Sequence, residues 1–266
     1  MKKSYQNLKR SVVAFTCPPD EKYPEIIGTG FVVREDGIIA TNYHITKHIL
    51  DLKKRHRFKN RFPVQARIFT FTPYGMLEIP LEILAIYYPF EDKDDSPYLS
   101  FVHVKAKGLP AVTIEKSIMI EEGIEIGTTG FPMGIEGLKA SGKFQAMPTL
   151  QKGIISAVQS YPCKDPFSFS INVMVQGGAS GSPVFSWKNG KVLGVIFSGL
   201  DDYDFISKKN VHRTPTNISY VIPSHYIIKG LKSLQQKKVT LPSDAISFKE
   251  MLKETIPFLQ NMCRKS

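Results

Sequence analysis

Two short segments carry the residue types from which hydrolytic chemistry is built. The first is Gly177-Gly178-Ala179-Ser180-Gly181-Ser182-Pro183, between apolar runs at 171–175 and 184–187. Glycines on both sides of a serine let the backbone turn tightly enough to present the hydroxyl and the serine's own N–H at one point. The N–H groups of Gly178 and Ser180 would then converge on the carbonyl oxygen of a bound peptide. The second segment reads Gly28-Thr29-Gly30-Phe31-Val32-Val33, then Asp36-Gly37, then Ile38-Ile39-Ala40-Thr41-Asn42-Tyr43-His44. Asp-Gly between apolar runs signals a hairpin, which places His44 just past the end of the second strand. That is a suitable position for a general base. Each segment has a plainer reading, since Gly/Ser turns join strands without chemistry and a lone histidine is often structural. Base and nucleophile together point to acyl transfer.

The elements that would position them are mostly strands. From residue 11 to about 222, short apolar runs are punctuated by Gly, Pro and Asp. Such spacing predicts an all-β, antiparallel architecture, with one group of runs before residue 110 and one after it. From Pro223 the apolar period becomes helical, with Ile227, Leu231 and Leu234 on one face. Phe248, Leu252, Ile256 and Leu259 suggest a second helix, kinked or ended near Pro257, in a tail expected to pack on the second barrel.

Composition bounds the rest. The chain has 266 residues, 42% hydrophobic and 22% charged, ordinary for a folded protein and too apolar for wholesale disorder. No run of about eighteen apolar residues exists, so no membrane-spanning helix is expected. The run after Lys2 and Lys3 is too short for a signal core, and a cytoplasmic location is expected. Cys17, Cys163 and Cys263 are odd in number and widely spaced, giving neither a disulfide framework nor a metal pattern. No cofactor or metal is expected.

Histidine early and serine late is the chain order of chymotrypsin-type sites. The sequence resembles the chymotrypsin-fold, trypsin-like serine proteases, and most closely their Deg-like (high-temperature-requirement) branch. Beyond the two segments above, the resemblance is carried by Gly127-Thr128-Thr129-Gly130-Phe131-Pro132-Met133-Gly134, Gly153-Ile154-Ile155-Ser156-Ala157 and Ser219-Tyr220-Val221-Ile222-Pro223-Ser224, in the family's order over residues 11–235. It implies two six-stranded antiparallel β-barrels, about 11–110 and 111–222, followed by a helix at 223–236 and a helical tail at 237–266. It implies a serine endopeptidase with His44 as base, Ser180 as nucleophile and an oxyanion hole from Gly178 and Ser180. The floor of the primary pocket falls at Met174, and Phe197, Ser198 and Gly199 would pair with the substrate backbone. With no charge at either place, cleavage after small or medium apolar residues is expected. Too few residues follow the protease region for the family's peptide-binding PDZ module, so none is expected.

Departures from the family pattern are informative. Where the triad aspartate opens a strand, this sequence has Tyr98 in Tyr98-Leu99-Ser100-Phe101-Val102-His103-Val104. Asp94 and Asp95 lie just upstream; Asp95 is the first candidate for the third member, with Asp94 or Tyr98 as alternatives. The run Glu91–Asp95 also reads as a solvated acidic turn. Ala179 replaces the residue that pairs with a freshly cut N-terminus in the digestive enzymes, so activation by cleavage is not expected.

The formal net charge is +11, and residues 47–61 hold seven Lys or Arg against Asp51 alone. This reads as a solvated face or as a dock for an acidic partner; no nucleic-acid motif surrounds it. Three functions follow: a serine endopeptidase acting on peptide substrates, a catalytically silent module binding a partner through the same cleft, and nucleic-acid binding through 47–61, the least supported.

Overall fold

In the computed structural model, residues 2–17, 25–55, 62–73, 75–90, 97–116, 120–132, 147–159, 166–207 and 210–263 are described. The chain opens with α1 (Lys2–Ser11), followed by β1 (Val12–Thr16), β2 (Ile26–Arg34), β3 (Ile38–Asn42) and α2 (Tyr43–Arg55). Then come β4 (Gln65–Thr72), β5 (Gly75–Leu81), β6 (Ile83–Tyr87), β7 (Leu99–Val104) and β8 (Ala106–Lys107). The second half contains β9 (Glu125–Gly130), β10 (Thr149–Gln159), β11 (Ser168–Ile171), β12 (Pro183–Ser186), β13 (Val192–Ser207) and β14 (Asn210–Pro223). It closes with α3 (Ser224–Gln236), β15 (Ile246–Ser247) and α4 (Phe248–Cys263).

β9 to β14 form a closed six-stranded barrel in the order β10-β11-β14-β13-β12-β9. The first half is a curled seven-stranded sheet, β5-β4-β1-β2-β3-β7-β6, with β5 and β6 at opposite edges. These two strands are separated only by Glu82. Counted as one strand bent at that residue, they leave six, and the covalent chain closes the curl where hydrogen bonds do not. Pro80 lies on β5, which pairs only with β4. An edge strand is where a residue without an N–H is tolerated. The architecture is the chymotrypsin-like one expected, with C-terminal helices.

Each barrel holds its own apolar core, and a third cluster joins them. Phe15, Ile39, Ile68, Val102 and Val104 fill the first. Ile126, Ile155, Phe169, Val184 and Val221 fill the second. Phe31 and Phe101 of the first half meet Phe185, Val195 and Ile222 of the second, with Leu8 of α1 and Ile227 of α3. The connection between halves is held on both sides: Val112 N–H donates to the Val32 carbonyl, and Glu115 N–H to that of Val192. Docking of α1 was not expected from its polar sequence. Tyr5 stacks on Trp187 at 4.4 Å between ring centroids, and its hydroxyl donates to the Trp187 carbonyl.

One expectation is corrected. The tail packs on the first barrel, not the second: β15 pairs in parallel with β8, and Phe248, Met251 and Leu252 join the first core. Of the two alternatives at Pro257, the helix does not end there: α4 runs through it. The acidic run 201–204 is strand, because β13 and β14 continue pairing past the barrel as a two-stranded ribbon.

Candidate active site

His44 is delivered by the β2–β3 hairpin, in which Phe31 faces Ala40 and Val32 faces Ile39. It is the second residue of α2, whose buried Ile45, Thr46 and Ile49 seat the helix on the first barrel. The first turn of α2 is anchored to β7, since Thr46 Oγ1 donates to the Ser100 hydroxyl at 3.0 Å. The residue before His44 is fixed as well: Tyr43 N–H donates to the Tyr98 carbonyl at 3.1 Å. His44 is exposed to solvent. Even so, desolvation by the surrounding protein pushes its pKa below the ordinary histidine value. No charged group among the described residues opposes that shift.

Ser180 lies in the turn between β11 and β12, and hydrogen bonds hold that turn peptide by peptide. The Ser180 carbonyl accepts from Thr29 N–H at 2.9 Å, and Ala179 N–H donates to Gln176. Gly181 N–H donates to Ile196, and Ser182 N–H to Ala179. The Thr29 hydroxyl donates to the Gly178 carbonyl at 2.6 Å. Among the described residues the Gly177 N–H has no acceptor, and neither do the N–H groups of Gly178 and Ser180. The last two are the donors expected of an oxyanion hole. Gly178 has φ +92°, a conformation suited to glycine.

The two loci meet through β2. Thr29 binds the Ser180 carbonyl with its N–H, and its own carbonyl accepts from the Thr41 hydroxyl at 2.7 Å, three residues before His44. The family model for the trypsin-like peptidase domain matches residues 28–195. The chain belongs to the trypsin-like peptidase family. Among curated proteins it is 22% identical over 224 residues to serine protease HTRA1 of Xenopus tropicalis, covering 82% of this chain and 38% of that protein. Serine protease HTRA2, mitochondrial, of Drosophila pseudoobscura pseudoobscura is 22% identical over 217 residues, with 79% and 40% covered. The chain therefore spans about two fifths of the length of these relatives.

Among solved structures, Deg5 superposes with a TM-score of 0.53 at 17% identity, over 86% of this chain and 90% of that one. The HtrA-type protease AlgW with a decapeptide gives 0.57 at 15% identity, with 88% and 67% covered. At these identities the structures establish the fold of this trypsin-like peptidase and nothing finer.

Around this core the remaining candidates fall out unevenly. Tyr98 is 53% exposed. Its ring stacks on Phe197 at 6.4 Å and meets Tyr43 edge-on at 6.0 Å. Phe197 in turn lies 6.2 Å from Tyr220, so four rings run from the first barrel to the second. Asp94 and Asp95 lie outside the described residues, as do 133–146. Met174 is 37% exposed, with Sδ 3.7 Å from Gln176 Nε2. Ser198 and Gly199 are half-buried on β13; a Cβ on Gly199 would sit 3.3 Å from the Val175 carbonyl oxygen, so strand and loop approach closely there.

Of the basic segment, Lys47, Lys53, Lys54 and Arg55 lie on α2, and 56–61 are outside the described residues. Lys53 sits over the Phe62 ring at 4.0 Å. Cys17 is half-buried, and its thiol pKa is raised by desolvation and then by Glu25. Such a thiol stays protonated and unreactive. Cys163 is outside the described residues, and nothing is described of the Cys263 side chain. The described residues hold no His, Cys, Asp and Glu cluster fit for a metal, and no helix long and apolar enough to cross a membrane. Sequence reasoning quoted Thr29 within a motif but gave it no role; its signal is a threonine between two glycines in an otherwise apolar strand.

Proposed function

We propose that this trypsin-like peptidase is a serine endopeptidase acting through an acyl-enzyme on Ser180. The observation that carries this reading is the pinned turn 177–182, in which the N–H groups of Gly178 and Ser180 stay unpaired beside the serine. In the forward step Ser180 Oγ attacks the peptide carbonyl while His44 accepts its proton. The carbonyl oxygen gains negative charge and is stabilised by the N–H groups of Gly178 and Ser180. Collapse transfers the proton from His44 to the leaving amine, and the acyl group remains on Ser180. Water, deprotonated by His44, then releases the acid. Phe197, Ser198 and Gly199 would pair with the backbone of the acyl side by strand addition. Neither Met174 nor Phe197, Ser198 and Gly199 carries a charge, which favours a small or medium apolar side chain before the scissile bond.

A fluorophosphonate probe tests the reading. Wild type should label, and Ser180→Ala should not; equal labelling of the two, or none of the native protein, would sink it. A peptide-library profile dominated by Lys or Arg at the acyl side would remove the apolar-pocket reading alone.

The lowered pKa of His44 sets the pH profile. The base works only when neutral, and a depressed pKa keeps it neutral down to lower pH. kcat/KM is therefore expected to be flat above pH 7 and to fall on acidification with a midpoint below about 6.5. A midpoint above that value would require a carboxylate against His44, because a negative partner favours the imidazolium.

One observation favours a second reading, a catalytically silent module that binds a partner in the same cleft. Tyr98 is aromatic and exposed where the family's orienting carboxylate belongs. Peptide binding without fluorophosphonate labelling is the result that would favour it.

A further inference from the structure

Thr29 is fully buried on β2, and each of its polar atoms is engaged by a different part of the site. Its N–H donates to the Ser180 carbonyl, and its carbonyl accepts from Thr41. Its hydroxyl donates to the Gly178 carbonyl at 2.6 Å and accepts from Phe131 N–H at 3.2 Å. Phe131 directly follows β9, so one hydroxyl joins β2, the end of β9 and the nucleophile turn. The peptide it holds, between Gly178 and Ala179, separates the two N–H groups assigned to the oxyanion hole. Gly177 and Gly178 precede that peptide, and two consecutive glycines leave the turn with other accessible conformations unless something fixes it. A buried hydroxyl bridging one donor and one acceptor does so by direction as well as by energy, because either partner left alone would be an unsatisfied buried group.

We propose that Thr29 is a positioning residue of the oxyanion hole: its hydroxyl locks the Gly178 carbonyl inward and so keeps the N–H groups of Gly178 and Ser180 free of internal acceptors. The inference rests on reading Ser180 as an acyl-enzyme nucleophile. Thr29 touches no reacting atom. Its loss leaves Ser180 and His44 in place but lets the turn relax, so the transition state suffers and ground-state binding does not.

The test compares Thr29→Val, Thr29→Cys and Thr29→Ser, with rates on a fluorogenic peptide expressed per fluorophosphonate-titrated site. Valine keeps the shape and removes the hydroxyl. It should lower kcat by about 10- to 100-fold, less than the ~10²–10³ of deleting an oxyanion donor, with KM within about threefold. Affinity for a peptide boronic acid, which uses the oxyanion hole, should fall by the same factor, while a non-hydrolysed peptide binds as before. Serine restores the hydroxyl and should recover kcat to within about threefold; cysteine, a weak donor, should fall between. An unchanged kcat per titrated site in Thr29→Val, or a loss in Thr29→Ser as large as in valine, overturns the inference. If the valine variant does not fold, cysteine and serine decide, and equal kcat for those two overturns it. Wild type that neither labels nor hydrolyses peptide overturns the acyl-enzyme reading and this inference with it. Wild type that labels, beside an equally active Thr29→Val, overturns this inference alone.

Discussion

His44→Ala is expected to lower peptide turnover by on the order of 10⁴ to 10⁶ while leaving peptide binding nearly intact. Without the imidazole, the Ser180 hydroxyl must attack with its proton still attached, and the leaving amine must depart unprotonated. A loss smaller than about 10² would mean that His44 is not the base. The same assay locates the partner of His44. If Asp95 reaches the imidazole, Asp95→Asn should cost on the order of 10⁴, through loss of the productive tautomer. Asp94→Asn and Tyr98→Phe provide the parallel comparisons. If all three retain wild-type turnover, catalysis runs on His44 and Ser180 as a pair. That outcome agrees with the direction of the His44 pKa, which desolvation lowers with no charged neighbour among the described residues to raise it.

Gly181→Ala should be strongly damaging for a single added methyl group. Gly181 has φ +88°, and a Cβ there would overlap the Thr29 carbonyl oxygen and crowd Thr41 Oγ1. The obstacle is backbone on a core strand, so it cannot rotate aside as a side-chain tip would. Strain and overlap together should cost about 2–4 kcal/mol of folding stability. The displaced turn should also lose on the order of 10²-fold in turnover per folded molecule, since Ser180 and its N–H move with it. Urea denaturation read beside the rate checks both. Gly177→Ala is the control: it has open space around its Cβ and no left-handed backbone, so its unfolding midpoint should barely move. Equal midpoints for the two variants would show that the turn is less tightly held than its hydrogen bonds imply.

The rival reading as a silent binding module turns on the ring chain Tyr43–Tyr98–Phe197–Tyr220. These rings join the two barrels. An aromatic wall of this kind can line a cleft for a peptide whether or not the peptide is cut. Labelling at Ser180 separates the two outcomes, because a fluorophosphonate needs an activated serine and not merely a bound ligand.

What the sequence determined by itself was whatever depends on local pattern. Alternating apolar runs between Gly, Pro and Asp define strands, since side chains in a strand point alternately to two faces. The change of period at Pro223 correctly marks α3, with helix beginning at Ser224. Residue type and chain order put forward His44 and Ser180 as candidate base and nucleophile. The tertiary structure alone decided the rest, because each remaining feature depends on groups far apart in the chain. Docking of α1 comes from Tyr5 meeting Trp187, 182 residues away, and a polar ten-residue helix carries no local sign of that contact. The tail's choice of the first barrel depends on an open strand at Ala106–Lys107 and on space beside Phe248, neither of which periodicity reports. The bend at Glu82 splits one strand between two sheet edges, a property of barrel closure rather than of residues 75–87. Thr29 has the same explanation. In the sequence it is one threonine between glycines; only folding brings it to Gly178, 149 residues on, where a single hydroxyl can hold the turn that presents the serine.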